Sequence, residues 1–117
     1  MKIGFIGLGN VGGKLAGSLL RNSFELLVND LDQKLCKNFE KKGAKFVNNS
    51  KDLAIESDLI ITCLPSPKIS AEVMEAKNGV IEGLSKNKIW LEMSTTDKAE
   101  VIRIGELVKK KGAIPMD

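Results

Sequence analysis

Histidine is absent from this 117-residue sequence, and cysteine occurs only at Cys36 and Cys63. The two cysteines lack the CxxC spacing or any other spacing typical of a zinc site. Without histidine, the chain also lacks the usual partner ligands of a metal centre and the base of a Cys–His nucleophile. We therefore expect no metal site, and we expect both cysteines to be reduced thiols.

Long apolar runs and basic or aromatic clusters are also lacking. Lys14 and several glycines interrupt the apolar N-terminal stretch, which excludes a signal peptide and a membrane span. The 18 Lys and Arg residues are spread along the chain and aromatic residues make up only 4% of it, unlike a nucleic-acid-binding surface. These features predict a cytoplasmic protein that binds neither nucleic acid nor a membrane.

The remaining composition is that of an ordinary folded protein. Apolar residues make up 43% of the chain and charged residues 28%. A chain of this length is typical of one domain and buries roughly two thirds of its unfolded surface. Since no linker, repeat or low-complexity segment interrupts it, we expect residues 1–117 to form a single domain.

Apolar runs alternate along the chain with segments that have helical spacing. The runs predict six strands, at residues 2–6, 25–28, 45–47, 59–64, 89–93 and 113–116, and the spacing predicts helices near 11–20, 31–41, 50–56, 69–76 and 97–108. Strands with little polar alternation, separated by helices, indicate a parallel sheet covered on both faces. With right-handed crossovers, the prediction is an α/β, doubly wound parallel sheet in three α/β/α layers.

A GxGxxG motif follows the first predicted strand directly and opens the first predicted helix. Its residues are Gly7, Leu8, Gly9, Asn10, Val11 and Gly12. In this setting the helix N–H groups and dipole can hold a pyrophosphate. Gly7 would permit the tight turn, Gly9 the approach of the phosphates, and Gly12 the close packing of helix on sheet. The motif predicts a Rossmann fold that binds a dinucleotide.

A glycine-rich turn without a ligand is the alternative interpretation of this motif. Glycine inside a helix costs about 1 kcal/mol relative to alanine, so several glycines there require a reason. Gly13, Ala16 and Gly17 extend the row of small residues, and we expect them to pack closely against the sheet.

Asp30 ends the second predicted strand, where a carboxylate would accept hydrogen bonds from the adenosine ribose and repel a 2′-phosphate. Leu31 follows it, Asp32 adds negative charge, and Lys34 is a poor substitute for an arginine that would pair with a phosphate. NAD is therefore favoured over NADP. The alternative is that Asp30 only caps the helix that follows.

Two more candidate segments lie at the carboxyl ends of the fourth and fifth strands. Leu64 and Pro65 would begin a stiff loop that faces the cofactor, at the edge where α/β sheets bind ligands. Ser94 and Thr95 would place hydroxyls near the nicotinamide end. Hydroxyls before a helix are also common caps, and Asp97 with Glu100 forms an acceptable capping box, so both interpretations stay open.

Five segments of the sequence, in this order and spacing, resemble the β-hydroxyacid dehydrogenase family and its 3-hydroxyisobutyrate dehydrogenase-like branch. They are GFIGLGNVGGKLAGSLL, VND, DLIITCLPSP, WLEMSTTD and KKGAIPMD. The resemblance covers the whole chain, and five ordered matches are far more specific than one glycine motif. In that family this region is the N-terminal NAD-binding domain.

The resemblance implies a role for each candidate residue. Residues 7–12 would hold the pyrophosphate, Asp30 the ribose, Leu64 and Pro65 the cofactor's ribose region, and Thr95 the nicotinamide side, while Ser94 would face the substrate. Leu31, next to Asp30, would also contact the cofactor. Three positions depart from the family pattern and affect contact details. They are Cys63 in place of Met, Ile69 in place of Asn, and Lys98 in place of Pro.

The family reaction implied is hydride transfer between NAD and the hydroxyl-bearing carbon of a small 3-hydroxy acid. A glycine-rich substrate loop, a catalytic lysine and an all-helical domain would follow Asp117, so residues 1–117 alone should not turn over substrate. The full-length enzyme should form a homo-oligomer.

Other functions share the same fold and cofactor site. A module that senses NAD or acts as a scaffold is one alternative, because a fold does not guarantee a reaction. The cofactor domains of 6-phosphogluconate dehydrogenase and tartronate semialdehyde reductase are others. A downstream glycine-rich loop and lysine-bearing helix would favour the enzyme.

Overall fold

A computed structural model describes residues 1–94 and 97–116, in which strands and helices alternate. The strands are β1 (Lys2–Ile6), β2 (Glu25–Asn29), β3 (Lys45–Phe46), β4 (Leu59–Thr62), β5 (Ile89–Glu92) and β6 (Ile114–Met116). The helices are α1 (Asn10–Arg21), α2 (Gln33–Lys41), α3 (Ser50–Glu56), α4 (Pro67–Glu75), α5 (Val80–Gly83) and α6 (Lys98–Lys110).

The six strands form one parallel sheet in the order β3-β2-β1-β4-β5-β6. The chain therefore runs outward from β1 in one direction as far as β3, and then crosses back to continue from β4 on the other side. Between β1 and β4 the strand order reverses, and ligands of open α/β sheets bind at such a point. The predicted doubly wound fold is confirmed.

Buried side chains alternate between the two faces of the sheet and form two apolar clusters. Phe5 and Val28 point into the cluster beneath α1 and α2, whereas Leu27 and Ile60 point into the opposite cluster with Leu53 of α3. Successive strand residues face opposite sides, so each strand supplies both clusters. The result is the three-layer α/β/α arrangement.

Several element boundaries differ from the prediction. α4 begins at Pro67 rather than at residue 69, because the Ser66 hydroxyl caps the Ile69 amide and proline is well suited to the first helical position. α2 begins at Gln33 rather than at 31, because the Asp32 carboxylate caps the Lys34 amide. The short helix α5 has no counterpart in the prediction.

Both cysteines have free thiols, with Cys36 buried and Cys63 half-buried. None of the helices in the described ranges is long and apolar enough to cross a membrane.

Candidate functional site

A cavity of about 610 Å³ opens at the carboxyl edge of the sheet, above the point where the strand order reverses. Its wall comes from the β1–α1 turn, the end of β2 and the segments that follow β4 and β5. Ten predicted site residues line it: Gly7, Gly9, Asn10, Val11, Gly12, Asp30, Leu31, Leu64, Pro65 and Ser94. The sequence motifs thus meet in one place.

Two predicted residues need separate mention, one whose side chain points elsewhere and one that is not described. The Leu8 side chain is buried in the core beneath α1 and α2, so only its backbone belongs to the motif's turn. Thr95 lies outside the described residues, and its predicted contact with the nicotinamide side stays a prediction.

Gly7 and Gly12 are required by the protein itself. Gly7 has a φ of +102°, and a Cβ atom there would collide with the backbone carbonyl of Cys63. A Cβ atom on Gly12 would collide with the Gly7 carbonyl. These two glycines let the turn close and let α1 approach the sheet, as the motif predicted.

Gly9 differs from the other two motif glycines. Its φ of −69° is accessible to any residue, and a Cβ atom built there would meet no protein atom within 4 Å. Neither backbone conformation nor packing therefore explains a glycine at this position. Since Gly9 lines the cavity, the unfilled space suits a ligand that approaches the backbone closely.

The N-terminus of α1 supplies positive partial charge to the same wall. Gly9 is its N-cap and offers no side-chain acceptor, and the first turn contains no acidic residue. The first amides of a helix lack intrahelical acceptors, and together with the helix dipole they attract anions. This end of the cavity can bind a phosphate group.

Asp30 links the end of β2 to the glycine turn. One of its carboxylate oxygens accepts the Leu8 amide at 2.6 Å, and the other accepts the Asp32 amide at 2.8 Å. The α2 cap is Asp32, so Asp30 has a different role from the helix cap considered above. A carboxylate oxygen has two lone pairs, and Asp30 can therefore still accept a ligand hydroxyl.

The ends of β4 and β5 are joined by a chain of hydrogen bonds. The Ser94 hydroxyl accepts the Leu64 amide at 2.5 Å, and the Ser94 amide donates to one oxygen of Glu92 at 2.6 Å. The other Glu92 oxygen accepts the Ser70 hydroxyl of α4 at 3.2 Å. Ser94 therefore holds the Leu64 backbone in place besides lining the cavity.

Some cavity residues were missed by sequence reasoning. Asn29 precedes Asp30 in the wall and donates to the Val47 carbonyl at 2.7 Å, while Leu35, Ser50, Cys63, Val73 and Met93 line other parts. Burial raises the pKa of the Cys63 thiol, and the nearby Glu92 carboxylate raises it further. The structural role of Glu92 was missed as well, although an acidic residue inside an otherwise apolar strand was a signal in the sequence.

The positions that depart from the family pattern fall into different settings. Ile69 lines the cavity and packs against the core, so it contributes apolar surface where an Asn side chain would offer an amide. Lys98 is exposed at the start of α6. The Asp97 carboxylate caps that helix through the Ala99 amide at 2.7 Å, while both Glu100 oxygens accept from Arg103.

Comparison with known families identifies relatives along the whole chain. Residues 2–117 match the family model of the NAD binding domain of 6-phosphogluconate dehydrogenase. The chain is 35% identical to mitochondrial 3-hydroxyisobutyrate dehydrogenase of Rattus norvegicus over 115 residues, which are 98% of this chain and 34% of that protein. It is 33% identical to 3-sulfolactaldehyde reductase of Escherichia coli, covering 98% of this chain and 39% of the relative. The chain thus spans little more than a third of these relatives.

Solved structures share the fold at lower identity. Mycobacterium tuberculosis 3-hydroxyisobutyrate dehydrogenase with L-serine superposes with a TM-score of 0.89 at 18% identity, over 97% of this chain and 38% of that one. An imine reductase from Myxococcus stipitatus in complex with NADP+ gives a TM-score of 0.88 at 17% identity, over 98% and 39%. These likenesses support the same three-layer architecture.

Proposed function

We propose that the cavity above the point where the strand order reverses holds a dinucleotide. The chain belongs to the β-hydroxyacid dehydrogenase family and corresponds to the NAD-binding domain of that family. The open space beside Gly9 carries the proposal, because a Cβ atom there would meet no protein atom within 4 Å and the glycine is explained by a ligand that approaches the backbone. The phosphate-binding end of α1 and the acceptor at Asp30 lie in the same wall. The residues present fit an NAD-type cofactor.

Each part of the cavity would bind a different part of the cofactor. The backbone of residues 7–12 would hold the pyrophosphate, Asp30 would accept the ribose hydroxyls, and exposed Leu31 would lie against the adenine side. Leu64 and Pro65 would border the second ribose, with Ser94 at the nicotinamide end. When bound, the cofactor supplies a hydride acceptor or donor.

The charge at Asp30 supports NAD rather than NADP. Its carboxylate is fixed by the Leu8 and Asp32 amides and cannot easily turn away from a 2′-phosphate. No arginine lines this cavity in the described ranges, and arginine is the residue that best pairs with such a phosphate. A solved structure with the same fold, the Myxococcus stipitatus imine reductase, is in complex with NADP+, so the fold alone does not select NAD and residue 30 is expected to decide the choice.

The complete reaction would require a second domain. The relatives are about three times as long as this chain, and we propose that an all-helical domain supplies the catalytic lysine and most contacts to a small 3-hydroxy acid. That domain would also form the homo-oligomer. Residues 1–117 would then bind the cofactor as one domain without turnover. A cytoplasmic location stays a prediction, since the 3-hydroxyisobutyrate dehydrogenases among the relatives are named as mitochondrial.

A pair of matched glycine substitutions tests the proposal. NADH would be titrated into the chain, with energy transfer from the single Trp90 as the signal. Gly9→Ala should weaken binding by about tenfold or more, because its methyl group occupies the phosphate approach. Gly17→Ala makes the same change in α1 away from the cavity and should leave affinity unchanged. Equal affinity for Gly9→Ala and wild type, or no binding by the wild type, would contradict the proposal.

A further inference from the structure

Glu92 is a buried carboxylate at the end of β5. Only 5% of its surface is exposed, and its two oxygens accept from the Ser94 amide and the Ser70 hydroxyl. Both donors are neutral. Among residues 1–94 and 97–116, no lysine or arginine forms an ion pair with it. In its ionised form this carboxylate is stabilised by hydrogen-bond dipoles and by no paired cation of the described residues.

Glu92 directly precedes and hydrogen-bonds to residues at one end of the cavity. Met93 and Ser94, the two residues that follow Glu92, line the cavity, and so does Cys63 from β4's carboxyl end. The Glu92 carboxylate contributes to the raised pKa of the Cys63 thiol, although burial is the larger cause. The Glu92 carboxylate is one 2.6 Å hydrogen bond away from Ser94, a residue of the cavity wall, so a charge on it acts on the end of the cavity between β4 and β5.

We propose that Glu92 makes this site favour the oxidised, positively charged form of the nicotinamide over the reduced form. The inference rests on the proposed function, in which the nicotinamide lies at the β4–β5 end of the cavity. The oxidised ring carries one positive charge and the reduced ring is neutral, because the two differ by a hydride. A fixed negative charge behind the ring therefore stabilises the first and does little for the second.

The size of the effect follows from charge, distance and surroundings. Glu92 has little contact with water, so its field is screened less than that of a surface carboxylate. A charge–charge interaction between Glu92 and the oxidised ring, separated by about one layer of side chains, should change the ratio of NAD+ to NADH affinity by about three- to tenfold. Surface charges farther away should have a much smaller effect.

Glu92→Gln removes the charge while keeping the hydrogen bonds. The amide oxygen can accept from the Ser94 amide, and the amide nitrogen can donate to the Ser70 hydroxyl. NAD+ and NADH would be titrated calorimetrically into the wild type and the variant. The ratio of the two dissociation constants should shift against NAD+ by about three- to tenfold. Glu75→Gln, which removes an exposed carboxylate from the same protein, is the matched control and should leave the ratio unchanged.

A second pair of variants does not depend on the folding of Glu92→Gln. Met93 is 44% exposed in the cavity wall, so Met93→Glu should shift the ratio toward NAD+ relative to the neutral Met93→Gln. If Glu92→Gln leaves the ratio of the NAD+ and NADH dissociation constants unchanged, this inference alone is overturned. If Glu92→Gln does not fold, an equal ratio in Met93→Glu and Met93→Gln overturns it in the same way. Failure of the wild type to bind either form overturns the proposed function and the inference with it.

Discussion

The Asp30 carboxylate and the Leu8 backbone amide are joined by a 2.6 Å hydrogen bond across the mouth of the glycine turn. The bond connects the residue expected to recognise the ribose with the loop expected to hold the pyrophosphate. Substitution at Asp30 should therefore affect both cofactor selectivity and the order of the turn.

Cofactor selectivity should depend on the charge of residue 30. In Asp30→Asn, the amide oxygen can still accept from Leu8, but the repulsion of a 2′-phosphate disappears. We expect the preference for NADH over NADPH to fall by about tenfold or more, measured as the ratio of dissociation constants. Asp32→Asn makes the same charge change at the α2 cap and should affect the ratio far less. A ratio that stays at the wild-type value in Asp30→Asn would show that another group excludes the phosphate.

Alanine substitution at two glycines of α1 should change the free energy of unfolding in opposite directions. Gly12→Ala forces a methyl group against the Gly7 carbonyl and should lower the free energy of unfolding by about 1–3 kcal/mol. A Cβ on Gly17 meets only the end of the flexible Arg21 side chain, so Gly17→Ala should raise it by about 0.5–1 kcal/mol. Urea unfolding would measure the stability of both variants. A loss of stability in Gly17→Ala would contradict the expectation and show that an added methyl group does not fit at this position.

Lys88 should stabilise the end of α3. Its ammonium group donates to the carbonyls of Ala54, Ile55 and Ser57 at 2.6–2.7 Å, and partial burial lowers its pKa. Lys88→Met removes all three bonds and should cost about 1–2 kcal/mol in thermal or urea unfolding. Lys37→Met, at an exposed site in α2, is the control. Equal stabilities of the two variants would show that water replaces the lysine without cost.

The ion pair between Glu75 and Arg103 should make stability depend on pH. Two bonds of 2.6–2.7 Å from the guanidinium lower the pKa of the Glu75 carboxyl below its usual 4.5. A carboxyl group whose pKa is lowered by folding contributes stability that is fully present above pH 4.5. That contribution is lost as the pH falls through the lower pKa of the folded state. The wild type should melt about 2 °C above Glu75→Gln at pH 7 in low salt, and the difference should vanish in acid. A difference that persists at low pH would contradict this explanation.

Much of the fold and part of the site could be predicted from local patterns. Strand and helix spacing identified all six strands, and the motif spacing brought Gly7, Gly9 and Asp30 to one cavity. Such features depend on near neighbours in the sequence. The start of α4 was predicted late because the cap at Ser66 and the favourable place of Pro67 were overlooked.

Features that depend on distant contacts could not be predicted in this way. Only the tertiary structure shows that Gly9 faces open space while Gly12 packs against a carbonyl, although both belong to one motif. Gly17 is buried in α1, yet a Cβ atom built there would meet only the end of the Arg21 side chain within 4 Å, which the sequence alone does not reveal. Glu92 acquires its partners from Ser94 nearby and from Ser70 on a separate helix.

The central position of β1 also bears on how the chain reaches this structure. Lys2 of β1 pairs with Glu25 of β2, whereas Ile3 pairs with Leu59 of β4, more than twice as far along the chain. Each doubling of loop length adds about 0.6 kcal/mol of closure entropy. Pairing of β1 with β2 is therefore the less costly first step, and the half that carries the glycine turn and Asp30 can organise before the half that carries Glu92 joins it.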